Sequence, residues 1–164
     1  MNNLKTLSLL NHNPDTQRFM QTSFSELNLF SNQNYLFFRN ITRLELNHFF
    51  KISAETLLGF ISKMPKLKQL YFLDVDCFYR NNRMDISELQ KSLSNISSVE
   101  LELSDAQDNI QYSFLNDLVI ALSNQLQHLT IHQNSNTFIG TNAMFGELVS
   151  CCLKDFNFDI ANNI

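Results

Sequence analysis

The chain has 164 residues, of which 44% are apolar and 17% charged, which suits one domain or a short repeat array and is too little for two full domains. Twelve Lys and Arg against sixteen Asp and Glu give a net charge of -4, and no basic run is present to track phosphates, which argues against nucleic acid. With only Gly59, Gly140 and Gly146 as glycines, neither a P-loop nor the three-glycine dinucleotide turn can be assembled.

From the amino terminus, Leu4-Lys5-Thr6-Leu7-Ser8-Leu9 has the form L-x-x-L-x-L, where L is any large apolar residue. Its alternation with period two predicts a strand. Asp15 to Ser23, with Phe19 and Met20, predicts a short helix, and Phe24-Ser25-Glu26-Leu27-Asn28-Leu29 repeats the form at irregular spacing. The form returns at Ile41-Thr42-Arg43-Leu44-Glu45-Leu46. Ser53 then caps a predicted helix with Leu57, Phe60, Ile61 and Met64 on one side, and Pro65 stops it. After Leu67-Lys68-Gln69-Leu70-Tyr71-Phe72, Asp85 and Glu88 read as a capping box ahead of Leu89 and Leu93. Ile96-Ser97-Ser98-Val99-Glu100-Leu101 precedes a helical stripe of Leu115, Leu118, Val119 and Leu122. Leu126-Gln127-His128-Leu129-Thr130-Ile131 precedes another of Met144, Phe145, Leu148 and Val149, and Leu153-Lys154-Asp155-Phe156-Asn157-Phe158 closes the series. The starts at 41, 67, 96, 126 and 153 are 26, 29, 30 and 27 residues apart, so one unit of strand, connection and helix recurs.

One strand and one helix cannot bury their shared apolar face alone, but copies laid side by side close a continuous core. On these motifs the chain resembles the leucine-rich repeat proteins, and its unit length with full helices resembles their ribonuclease-inhibitor-like subtype. The resemblance implies an α/β solenoid with a curved parallel β-sheet on the concave side and helices on the convex side. It covers a single domain, residues 1-164, with irregular repeats over 1-40 and regular ones over 41-164. One departure stands out: the Asn or Cys that such repeats place three residues after the last L is Asn134 in one copy and Phe49, Val75, Ser104 and Ala161 in the others. Irregular turns are expected there. Neither end shows a cap of the kind solenoids use, which is the expectation for a piece of a longer protein or a chain held against a partner.

Strand alternation assigns the x positions to the concave surface. These are Thr6, Ser8, Glu26 and Asn28, then Arg43, Glu45 and Asn47, then Gln69 and Tyr71. Ser98, Glu100 and Glu102 follow, then His128, Thr130 and His132, then Asp155, Asn157 and Asp159. The face is acidic, would steer a basic protein partner, and offers Tyr71 as an aromatic anchor. His128 and His132 point the same way beside Glu100, Glu102, Asp155 and Asp159, a grouping that suits zinc or a pH-sensitive histidine in residue type but matches no zinc spacing. Exposed, hydrogen-bonding histidines are the expectation, with no metal, cofactor or catalytic residue.

Cys77, Cys151 and Cys152 form no disulfide framework and are expected as reduced, buried thiols. His12 and His48 fall at strand-to-turn boundaries with no activating neighbour in sequence, and two glycosylation sequons, at Asn40 and Asn95, are no more than an Asn-rich chain produces by chance. No leader pattern or membrane span is evident, so an intracellular, cytoplasmic location is expected. The favoured function is a noncatalytic protein-interaction or scaffold module. The alternatives are the substrate-recognition part of an F-box type ubiquitin-ligase subunit, which commonly carries such repeats, and an enzyme on an open parallel α/β sheet.

Overall fold

A computed structural model describes residues 4–10, 38–48, 52–80, 82–103, 113–133 and 155–160, the side chains of 103, 113, 133 and 155–160 excepted. In chain order the elements are β1 (Thr6–Leu10), β2 (Arg43–Asn47), β3 (Ile52–Ser53), α1 (Ala54–Ile61), β4 (Gln69–Leu73), β5 (Cys77–Phe78), α2 (Ile86–Ser92), β6 (Ser98–Leu103), α3 (Ser113–Leu122), β7 (His128–Gln133) and β8 (Asp155–Ile160). The fold is α/β. Its main sheet is parallel and runs β1-β2-β4-β6-β7-β8, each strand bonded to the next repeat's strand. Because β1 bonds directly to β2, the series passes from the match at Leu4 to the match at Ile41. The match at Phe24–Leu29, the helices predicted at 15–23 and 141–151, and His12 lie outside the described residues.

Registration is unshifted across all six strands. Leu7, Leu44, Leu70, Val99, Leu129 and Phe156 form one row, and Leu9, Leu46, Phe72, Leu101, Ile131 and Phe158 the other. A one-residue slip would turn every apolar side chain of a strand to the wrong face, so the recurring triplet itself fixes this alignment. From β2 to β7 the row residues are almost fully buried, as are Ile41, Leu67, Ile96 and Leu126 ahead of them. Leu57 and Phe60 of α1, Leu89 of α2 and Leu115, Leu118 and Leu122 of α3 join them in one core. Each such side chain contributes about 1.5–3 kcal/mol of transfer free energy. At β1 the core thins, and Leu7 and Leu9 are only half-buried.

The strand starts repeat one hydrogen-bond pattern. Lys5 O accepts the Thr42 and Arg43 N–H groups, Thr42 O those of Lys68 and Gln69, Lys68 O those of Ser97 and Ser98, and Ser97 O those of Gln127 and His128, all at 2.7–3.2 Å. A second ladder lies one residue before the first L of each unit. Lys66 Nζ donates to Asn40 Oδ1 at 3.1 Å, Asn95 Nδ2 to Pro65 O at 3.2 Å, and Gln125 Nε2 to Leu93 O and Ile96 O at 2.7 and 3.0 Å. Each reaches the preceding unit and adds a side-chain donor at its helix-to-strand connection, in the case of Leu93 O beside the Ile96 N–H that it already accepts at 2.9 Å.

The strand exits, expected to be irregular, fall into two kinds: the chain turns at His48 and Asp74 after β2 and β4, whereas the equivalent Leu103 and Gln133 continue their strands in register. His48 (φ 59°) and Asp74 (φ 49°) both take the left-handed conformation, and their N–H groups donate to Leu73 O and Glu102 O at 2.7 and 2.9 Å. Asp and His tolerate this region better than most side chains. Val75, at the position where leucine-rich repeat proteins carry Asn or Cys, is buried in the core. The short parallel pair β3 and β5 was not foreseen: two residues per strand are too few to alternate visibly. Ser53 caps α1 by accepting the Thr56 N–H at 3.2 Å. At α2 the capping box reduces to one side-chain cap, with Asp85 accepting the Ser87 N–H at 2.7 Å and Glu88 exposed. Among the described residues no helix is long and apolar enough to cross a membrane.

Candidate functional site

Helices and core occupy one face of the sheet, so the x positions form the other. In register they make three rows: Thr6, Arg43, Gln69, Ser98, His128 and Asp155; Ser8, Glu45, Tyr71, Glu100, Thr130 and Asn157; and Leu10, Asn47, Leu73, Glu102, His132 and Asp159. Leu73 therefore belongs to this face, although sequence reading stopped at Tyr71. The described side chains are less exposed than free strand positions would be. Arg43, Glu45, Asn47, Tyr71, Glu100, Glu102, Thr130 and His132 are half-buried, whereas Gln69 and His128 are exposed.

The reason is a network across four strands centred on Arg43. Its Nε meets Glu45 Oε1 at 2.7 Å, and its Nη2 meets Glu100 Oε2 at 3.4 Å. Its Cζ also lies 5.5 Å from the Tyr71 ring centroid, within cation–π range. The Tyr71 hydroxyl donates to Glu102 Oε2 at 2.7 Å, and His132 Nε2 stands 3.9 Å from Glu100 Oε1. The hydrogen bond to Glu45 raises the Arg43 pKa, outweighing an opposing desolvation. Burial, then the bond to Glu102, pushes the Tyr71 phenol well above its ordinary range. Thus Tyr71 stays a neutral donor, while Arg43 contacts two of the three described carboxylates and its single charge leaves the face net negative. Asn47 Oδ1, on the same face, is shut from solvent without a hydrogen-bond partner among the described residues.

The histidine and carboxylate grouping is brought together only in part. His132 faces Glu100, His128 is exposed, and β8 carries Asp155 and Asp159 in register beside them, with side chains outside the description. Among the described residues no group of three or more His, Cys, Asp or Glu is placed to hold a metal ion. Cys77 is fully buried, and desolvation raises its thiol pKa, which keeps it protonated and a poor nucleophile.

Two polar pairs escaped the sequence reading. His48 Nδ1 lies 3.4 Å from Asp74 Oδ2, joining equivalent exit residues of neighbouring units. Asp117 of α3 is wholly buried, with Tyr79 Oη at 2.7 Å and Arg83 Nε at 2.6 Å from its Oδ2 and Arg83 Nη2 on its Oδ1. The signal for Asp117 was its spacing, three residues after buried Phe114 and four before buried Ala121, on a helix with no other charge. No family model, no curated protein and no solved structure matches the chain.

Proposed function

We propose that the chain is a leucine-rich-repeat solenoid of the ribonuclease-inhibitor-like kind, acting as a noncatalytic module that holds a protein partner against the outer, polar face of its sheet. The observation that supports this reading most is the unshifted parallel register of six strands in unbroken chain order. Open α/β enzymes bind substrate where the strand order reverses and opens a crevice. The described order never reverses, which weighs against the enzyme alternative. The polar face is pre-tied by its own network, so little side-chain freedom is left to lose on association, and Tyr71 and Arg43 are residue types that dominate interface energetics. Net negative charge on that face favours a basic partner.

Affinity capture tests the reading. A partner retained by the native chain is expected to be lost by the combined Tyr71→Ala, Glu100→Gln and Glu102→Gln variant. Retention at native strength, with the variant folded by circular dichroism, would overturn the assignment of this face.

A further inference from the structure

Charge is segregated between the two edges of the sheet. Of the nine described Lys and Arg residues, six lie where strands begin and helices end: Lys5, Arg39, Lys63, Lys66, Lys68 and Lys91. The segments 38–42, 62–68 and 91–97 that hold five of them contain no carboxylate. The opposite edge, where strands end, carries Glu55, Asp74, Asp76, Asp85 and Glu88 against two cations, Arg80 and Arg83, of which Arg83 is paired with Asp117. In a chain of net charge -4 a basic rim is not a by-product of overall composition. Lys5, Arg39, Lys66, Lys68 and Lys91 are exposed and enter no ion pair among the described residues.

Cations near helix carboxyl ends also complement the helix dipole, and Lys63 after α1 and Lys91 in the last turn of α2 are placed for that. Lys5 and Lys68 are not explained this way. They flank Thr42 at the strand starts, joined to it through Thr42 N to Lys5 O at 2.7 Å and Lys68 N to Thr42 O at 2.9 Å. Two rungs of a sheet separate them by roughly 10 Å.

We propose that this rim is a second docking surface, whose occupant is an acidic segment of a partner protein. The rim supplies spaced ammonium groups rather than the helix amino-terminal N–H groups that cradle phosphate, and helix carbonyls point toward it. Separate carboxylates on a chain suit that arrangement better than the dense phosphates of a nucleic acid or an anionic bilayer. None of the outer-face residues takes part, so the two surfaces are separable.

The test is fluorescence anisotropy with a labelled peptide of alternating glutamate and glycine, run beside single-stranded DNA and phosphatidylserine vesicles. The full chain is expected to bind the peptide more tightly than either competitor and to weaken as salt is raised. Charge reversal by K66E and K68E is expected to cost about tenfold or more in affinity, with the milder K66Q and K68Q pair in between and E100Q with E102Q without effect. Undiminished binding by the folded K66E and K68E variant, preference for DNA or vesicles, or no peptide binding at low salt would each overturn the proposal.

Discussion

The buried carboxylate of Asp117 is clasped by the guanidinium of Arg83, which reaches it from the connection ahead of α2 while most of the Arg83 side chain remains in solvent. Tyr79, just after β5, donates to the same carboxylate and sets its ring edge-on to Phe114 at 5.8 Å. One acid thus ties the β5 exit, the connection before α2, and α3. Removing the acid leaves the half-buried Tyr79 hydroxyl without its acceptor while Arg83 stays in solvent, so Asp117→Ala is expected to destabilise the chain by about 1–3 kcal/mol. Asp117→Asn, which keeps shape and one acceptor, is expected to cost less. Urea unfolding followed by circular dichroism measures both, and an Asp117→Ala midpoint equal to the native one would show that the clasp contributes nothing.

Tyrosine titration gives a pH prediction. Tyr71 and Tyr79 are both raised, mainly by burial and then by donation to Glu102 and Asp117. A phenol raised on folding adds stability that is complete below the unfolded pKa, near 10, and lost as pH climbs from there through the folded value. Stability should therefore fall above about pH 10. By ultraviolet titration two of the four tyrosines are expected to ionise late in the native chain and with the others after unfolding. All four ionising together in the native state would contradict the bonds drawn for Tyr71 and Tyr79.

Gln125 fastens one unit to the one before it through two carbonyls, Leu93 O and Ile96 O. Both acceptors lose a donor in Gln125→Ala, at an expected cost of about 1–2 kcal/mol. Gln125→Glu should cost more, since a carboxylate has no hydrogen to give and repels both carbonyls. Hydrogen exchange is the informative measurement: protection is expected to drop first at Gln127 and His128, whose N–H groups bond to Ser97 O beside this contact. Uniform loss of protection along the whole sheet would argue that Gln125 acts on global stability alone.

Sheet and core were legible because the strand signal is local and repeated: one misread triplet would have broken an even spacing, and the register follows from which residues are apolar. The polar face was legible as a list of positions for the same reason. Its linkages were not. Arg43 finds Glu100 fifty-seven residues away, Tyr79 finds Asp117 thirty-eight away, and His48 finds Asp74 across a unit boundary. Such pairs depend on rotamers and on how far each connection swings, which no period in the chain encodes. Asp85 shows the smaller failure: the cap was readable, but which N–H it accepts was a matter of backbone geometry at one turn.

Arg43 is the hub of the outer face, and its geometry separates its roles. Glu45 and Glu100 stand two rungs apart on either side of Tyr71, and the guanidinium serves both while lying over the ring. An ammonium has no planar fork, so Arg43→Lys is expected to retain the contact to Glu45 and lose those to Glu100 and the ring. Arg43→Ala leaves Glu45 and Glu100 without their shared cation on either side of Tyr71, and should cost about 1 kcal/mol in dilute buffer. In a double-mutant cycle with Glu100→Gln the coupling is expected to be about 0.5 kcal/mol, shrinking with salt because the pair is partly solvated. The cycle with Tyr71→Leu should be insensitive to salt by comparison, since the ring carries no net charge. If both couplings vanish at every salt concentration, the network is a set of independent surface contacts, and the claim that the face is pre-tied for a partner loses its physical basis.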